Sequence, residues 1–407
     1  MANYDIERIR GDFPVLSTKV RGKPLVYLDN GATTQKPKAV IDAIYKFESE
    51  EYATVRRGSY TLGEAATTRY EEARGKVAKF LNAESHKEII FTSGATQGIN
   101  LVAHSFGKRF VNKGDEIIIS HMEHHANIVP WQMLCEERGA VLKVIPMNDE
   151  GELLMEEYRK LLTERTKMVA VTHISNVLGT VNPVKEITEL AHSAGAKVLI
   201  DGAQSAPHMK VDVRDIGCDF YVIAGHKMYA PSGVGALYGK YSLLEEMPPY
   251  VTGGDMIVTV GLGKSTFAKP PSRFEAGTPP ISQVIGLGAA IDYLEAIGFE
   301  NIERHEHELL EHGMKLFDGI EGLRVTGTSK HKAAIISFHL ESAHPHDVVT
   351  MLDQDGLCLR GGHHCAQPTM ERFGVPATTR ASMGVYNRKE ELDLLAESIR
   401  KVIKMFS

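Results

Sequence analysis

Between residues 85 and 240 the chain repeats one pattern: a short, β-branched apolar run followed by an amphipathic stretch. The runs read EIIFTSG, DEIIIS, VLKVIPMN, KMVAVTHIS, AKVLIDGAQ, FYVIAGHK and GVGALYG. They are continuous in hydrophobicity, not alternating, as expected for strands buried on both faces. The predicted fold class is therefore α/β, a mostly parallel sheet flanked by helices. Several runs stop on a polar or small residue, as at Ser93-Gly94, His173, Asp201 and His226-Lys227. Ligands of open α/β sheets gather at the carboxyl ends of strands, so these residues mark the predicted site.

At 407 residues, 43% of them hydrophobic, the chain is long enough for two domains. A long helix is predicted from Thr61 to Asn82. The proline-rich stretch KPPSRFEAGTPPI (Lys269 to Ile281) interrupts the pattern, and a helix over about Ser282 to Ile297 follows it. Beyond it, LRVTG, KAAIISFHL, a helix over Pro345 to Gln354, LCLRGG, ASMGVYN and a last helix from Lys389 suggest a small α+β domain. The reading divides the chain into an N-terminal arm over 1–20 packing on the small domain, a large domain over 21–295 and the small domain over 296–407. MANYDIERIRGDFP carries charges throughout, and no later stretch has the roughly 18 apolar residues of a membrane span. A cytoplasmic protein with no membrane partner is expected. The net charge of -6 has no basic cluster within it, which argues against nucleic acid. Cys135, Cys218, Cys358 and Cys365 have no framework spacing and suit a reducing compartment.

In AGHKMYAPSGVGALYG, Lys227 follows a buried strand directly. Alone it reads as a surface lysine at a strand end. Burying an ammonium is costly unless it is consumed chemically, as a Schiff base with an aldehyde would do. Upstream, Asp201 ends the apolar run of VLIDGAQSAPH, where a carboxylate needs a cationic partner such as a pyridinium nitrogen. Gln204 can donate to a ring oxygen. In FTSGATQGIN, Ala95 and Thr96 open a helix whose first N–H groups make a phosphate cradle. Together these are the requirements of pyridoxal 5′-phosphate. HMEHHANIVPW adds His121, His124 and His125, and RGGHHCAQP adds His363, His364 and Cys365. Zinc is the competing use of these residues, but no HxxxH or CxxC spacing supports a closed site, and a histidine over the cofactor face is the better use. The reading calls no metal ligand. By itself Cys365 remains a ligand, a packing thiol or a loop nucleophile.

SGATQGIN, EHHANIVPW, DGAQSAPH, AGHKMYAPSGVGALYG, RFEAGTPP and RGGHHCAQP, in this order, resemble the class V aminotransferase superfamily, of the fold type I of pyridoxal phosphate enzymes. More narrowly they resemble the group II cysteine desulfurases of the SUF iron–sulfur assembly system, close relatives of selenocysteine lyases. The resemblance implies Lys227 as the Schiff-base lysine, His124 stacked on the ring, Asp201 at the pyridine nitrogen and Gln204 at the phenolic oxygen. It implies Thr96 and His226 as phosphate ligands, and Thr278 as one given across a homodimer interface. Asn176 and Arg380 would hold the carboxylate of L-cysteine, Arg360 would stand at the entrance, and Cys365 would take up sulfur. His124, His364 and Arg360 are the candidates to activate that thiol. Gly361 and Gly362 suggest a mobile loop. Where relatives use a zinc-containing sulfur acceptor, a histidine matching His346 exchanges into its zinc shell. Ala224 stands where the family often has Ser, and Arg56 and Tyr60 where many relatives have His. Selenocysteine lyase is the alternative activity, and an aminotransferase a more distant one.

Overall fold

The computed structural model describes residues 4–406. Each of the apolar runs supplies a strand to one sheet of seven, in the spatial order Ile89–Thr92, Gly235–Gly239, Phe220–Ala224, Lys197–Asp201, Thr166–Thr172, Glu116–Ser120 and Val141–Ile145. Gly235–Gly239 runs antiparallel to both neighbours, and the remaining pairs are parallel. Successive strand residues face opposite sides, so the sheet feeds two cores. Ile89, Phe91, Tyr221 and Ile223 pack on one side with the helices Thr61–Phe80 and Ile281–Ile297, while Ile90, Phe220 and Val222 pack on the other with Ala95–Phe110 and Val129–Arg138. The run VLKVIPMN departs from expectation. It is the edge strand, with Val141 and Val144 exposed at 48% and 42%, and among the described residues no further strand pairs with its outer edge.

From Thr92 at one edge the chain enters the helix Ala95–Phe110, which crosses over Phe220–Ala224 and Lys197–Asp201 before the next strand forms near the far edge. This reversal leaves a crevice at the carboxyl ends of the central strands.

The C-terminal unit is an antiparallel sheet ordered Leu323–Thr326, Ile335–Leu340, Thr378–Ser382, Arg360–Gly362, packed with the helices Phe299–Asp318, Pro345–Asp353 and Lys389–Phe406. The strand expected over ASMGVYN lies earlier in the chain, at Thr378–Ser382, and so contains Arg380. Val26 and Leu28, assigned by sequence to the large domain, instead join this core, because Val26–Tyr27 pairs parallel with Leu357–Cys358. The N-terminal arm, whose first three residues lie outside those described, also differs. It packs on both units: Ile9 and Phe13 enter the large core, where their apolar side chains find cover, and Arg10 Nη1 donates to Glu391 at 2.8 Å.

The loop that carries Thr278 is anchored by Glu275, whose carboxylate accepts from Phe91 N at 2.7 Å and Arg74 Nη1 at 2.7 Å and also pairs with Arg56. Arg56 thus has a structural partner here. Glu275→Ala would leave Arg74, which is 0% exposed, with the more exposed Glu71 as its remaining carboxylate partner among the described residues, and would strip Phe91 N of its acceptor. The expected loss of stability is about 3–5 kcal/mol, seen as a lower denaturant midpoint at unchanged slope.

Candidate active site

A cavity of about 330 Å³ opens at the crevice. One wall comes from the strand ends. After Phe220–Ala224 the chain makes the turn Gly225–Lys227, held by Thr34 N and Thr33 Oγ1 donating to the His226 carbonyl at 2.9 and 3.0 Å. Lys227 lines the cavity, and its amine has no hydrogen-bond partner among the described residues. Burial lowers its pKa to about 8, against an opposing pull from Asp201. Asp201 is 6% exposed, and its carboxyl is pushed above the usual range by burial; Oδ1 accepts from Ala203 N at 3.0 Å.

The helix Ala95–Phe110 starts at the cavity. Gly94 caps it at φ 149° with no side-chain cap, and Ser93, Gly94, Ala95, Thr96 and Gln97 line the cavity. Ala224 lines it too. His124 lies at the rim, with Nδ1 accepting from Ala126 N at 3.0 Å. Burial, then the Lys227 charge, depresses its pKa to about 3.

The other wall comes from the C-terminal unit. Arg380 is 1% exposed, and donates from Nη1 to the Asn176 carbonyl at 2.8 Å and from Nη2 to Asp29 Oδ1 at 3.1 Å. Its Nε is buried without a partner. The Arg360 Nε lies 3.8 Å from the other Asp29 oxygen, so one carboxylate holds both arginines. Asn176 Nδ2 donates to the His364 carbonyl at 2.8 Å, tying the Cys365 loop to the same point. Cys365 is exposed at the mouth of the cavity, and all four cysteines are free. His364 is held neutral, its pKa depressed to about 2 by burial and then by Arg380, and its Nε2 lies 3.1 Å from the Thr378 carbonyl.

Some expected residues stand elsewhere. Gln204 does not line the cavity; its Nε2 donates to the Gly31 carbonyl at 2.7 Å, bracing the wall, and its Oε1 is buried without a partner. Thr278 is exposed and outside the cavity lining. Tyr60 is 53% exposed just ahead of the helix Thr61–Phe80. His346 is exposed at the start of Pro345–Asp353, its ring stacked 5.4 Å from that of His344.

Two residues escaped the sequence reading. Asp29 ends VYLD, an apolar run stopping on a polar residue like the others, but its strand is only two residues long. Glu123, beside His124, is fully buried and accepts from Asn127 Nδ2 at 2.7 Å and Thr172 N at 2.9 Å; burial pushes its pKa up to about 8.

The side chains around the cavity fit pyridoxal 5′-phosphate. Lys227, the Thr96 hydroxyl, the His226 ring and Arg380 Nε all lack protein hydrogen-bond partners among the described residues, and the buried Asp201 awaits a cation. That is a set of donors for phosphate and carboxylate, an amine for an aldehyde and an acceptor for a ring N–H.

Comparison with known proteins agrees. A family model described as aminotransferase class-V matches residues 26–395. The probable cysteine desulfurase of Halalkalibacterium halodurans is 52% identical over 406 residues, covering 100% of this chain and 99% of that one. The cysteine desulfurase of Dickeya dadantii is 50% identical over 404 residues, 99% and 98% of the two chains. Among solved structures, the cysteine desulfurase CsdA (S-sulfonic acid) of Escherichia coli superposes with a TM-score of 0.92 at 36% identity over 100% of both chains. With its fold, its cavity and these relatives aligned along its whole length, the chain belongs to the class-V aminotransferase family, on its cysteine desulfurase branch.

Proposed function

We propose that the protein is a pyridoxal 5′-phosphate-dependent cysteine desulfurase, which converts L-cysteine to L-alanine and passes the sulfur through a Cys365 persulfide to an acceptor protein for iron–sulfur cluster assembly. The observation that carries this reading is the meeting, in one cavity, of Lys227 and Asp201 from the large sheet with Arg380 and Cys365 from the C-terminal unit.

When bound, the cofactor supplies an aldehyde that captures the substrate amine and a ring that accepts the electron pair released at Cα. Asp201 would hold its ring nitrogen, His124 would cover the ring face, and Ala95, Thr96 and His226 would take its phosphate. Arg380 would fix the substrate carboxylate by charge-assisted hydrogen bonds, with its unpaired Nε free to donate. Lys227 Nζ, half neutral near pH 8, is suited to take the Cα proton. The Cys365 sulfur then attacks the substrate Sγ. The substrate Cβ–Sγ bond breaks as the new S–S bond forms, Cβ takes up a proton, Cα regains the proton held by Lys227, and alanine is released while Cys365 is left as a persulfide.

A thiol reacts as its thiolate. Burial makes His124 and His364 weak bases, and Arg360, Arg380 and Lys227 line the same cavity as Cys365.

A homodimer completes the proposal, since Thr278 stands exposed on its anchored loop and away from its own cavity. The acceptor is proposed to be a zinc-containing protein of the SUF system, in a reducing cytoplasm. In support, His346 is exposed on the helix packed against Arg360–Gly362, the strand leading to Cys365.

Cys365→Ala should keep the visible absorbance of the bound cofactor and lose alanine formation from L-cysteine; desulfuration at the wild-type rate would sink the assignment. Cofactor loading of the cofactor-free protein depends on neutral Lys227, so its rate should climb with pH and level off above about 8. A rate still rising beyond about pH 10 would mark a solvated lysine instead. His346→Ala should leave turnover without acceptor unchanged and abolish stimulation by a zinc-loaded acceptor; equal stimulation in that variant would exclude the zinc-exchange role.

A further inference from the structure

The loop that presents Cys365 is held in a backbone conformation that its own residues disfavour. His364 and Cys365 have φ of 54° and 55°, consecutive left-handed residues that are not glycine. Such conformations persist only where the surroundings over-determine them. Here those surroundings can be named. Asn176 Nδ2 grips the His364 carbonyl at 2.8 Å, and His125 N donates to the Cys365 carbonyl at 2.7 Å. On the far side of the cysteine, Gln367 N donates to the His125 ring at Nε2, at 3.1 Å. The rings of His125 and His363 lie 5.6 Å apart, and His363 Nδ1 in turn accepts from Cys365 N at 3.2 Å.

His125 thus hydrogen-bonds the loop at Cys365 and again at Gln367, and its ring lies near that of His363 ahead of the nucleophile. It begins the short turn His125–Asn127, and its neighbour His124 caps that turn and lies at the cavity rim, so its position is fixed relative to the cofactor wall.

We propose that His125 is a positioning residue whose ring nitrogen latches the Cys365 loop and so fixes the thiol at the cavity mouth. Its consequence for turnover rests on the desulfurase reading, whereas the latch itself is a property of the loop. His125 would touch neither cofactor nor substrate, acting only through the backbone that carries Cys365.

The test compares holoenzyme carrying His125→Ala or His125→Gln with wild type. The glutamine carbonyl offers an acceptor at similar reach to Nε2. Two quantities are read: the rate of Cys365 alkylation by iodoacetamide, located by peptide mass, and kcat and KM for L-cysteine. His125→Ala should raise alkylation and lower kcat by about fivefold, the population change that loss of one ordinary hydrogen bond produces, with KM little altered. His125→Gln should return both toward wild type. Alkylation of the alanine variant within about twofold of wild type would overturn the latch, as would a glutamine variant that fails as fully as alanine. Altered alkylation in a protein that forms no alanine even as wild type would uphold the latch and sink the desulfurase reading instead.

Discussion

Lys227 and Arg380 reach the same cavity from different parts of the fold, and both are withdrawn from water there. Among the described residues Asp201 is the carboxylate that lines that space, and Asp29 beside it is shared between Arg380 and Arg360. The site therefore holds more positive than negative charge in a partly desolvated place. Burying unmatched charge costs stability, and the depressed basicity of Lys227, His124 and His364 is the mark of that cost. It also prepares the cavity for anions. A phosphate, a substrate carboxylate and a thiolate each gain more from fixed cations in such a place than they would in water, because no reorganisation is needed when they arrive.

The strands of the large sheet were legible because parallel strands covered on both faces must be apolar throughout, and few other elements are. Their ends were legible for a related reason: Asp201 and Lys227 are anomalous after such runs unless they meet a ligand. What could not be read was whichever feature depended on neighbours distant in sequence. Val141–Ile145 looks like any buried run, but its place at the sheet edge is set by strand order. Gln204 has the right type for a ring partner, yet it braces Gly31, more than a hundred residues away in the chain. Asn176 does line the cavity, but its carbonyl holds Arg380 and its amide holds the Cys365 loop.

The cysteine loop shows the same limit more sharply. Gly361 and Gly362 invite a reading of mobility, but a Cβ on Gly361 would lie 2.8 Å from the Pro345 carbonyl, so close packing explains that glycine. The left-handed backbone falls on His364 and Cys365, where residue type gives no warning. The histidines around the thiol, which by sequence looked like its activators, are engaged in holding main-chain groups. Burial lowers the pKa of His124 and His125, and that suits their accepting role, because a ring nitrogen that carries a proton cannot accept a hydrogen bond; His364 Nε2 instead donates to the Thr378 carbonyl.

The segment from Val26 to Thr34 shows how the two units are made to act as one. Val26 and Leu28 are buried in the C-terminal core, Asp29 holds the arginine pair, and the Gly31 carbonyl receives Gln204. Thr33 and Thr34 then fix the carbonyl of His226, the residue before Lys227. Within nine residues the chain passes from the core that supports Arg380 to the turn that presents Lys227. A shift of the C-terminal unit would therefore disturb the arginine pair and the lysine turn together, and Asn176 extends the same linkage to Cys365. The distance between lysine, arginine and thiol is thus set by one short strand and its hydrogen bonds. A site assembled from an amine, an arginine pair and a thiol on separate elements needs such a joint, because misplacement by about an ångström is enough to cost a large factor in rate.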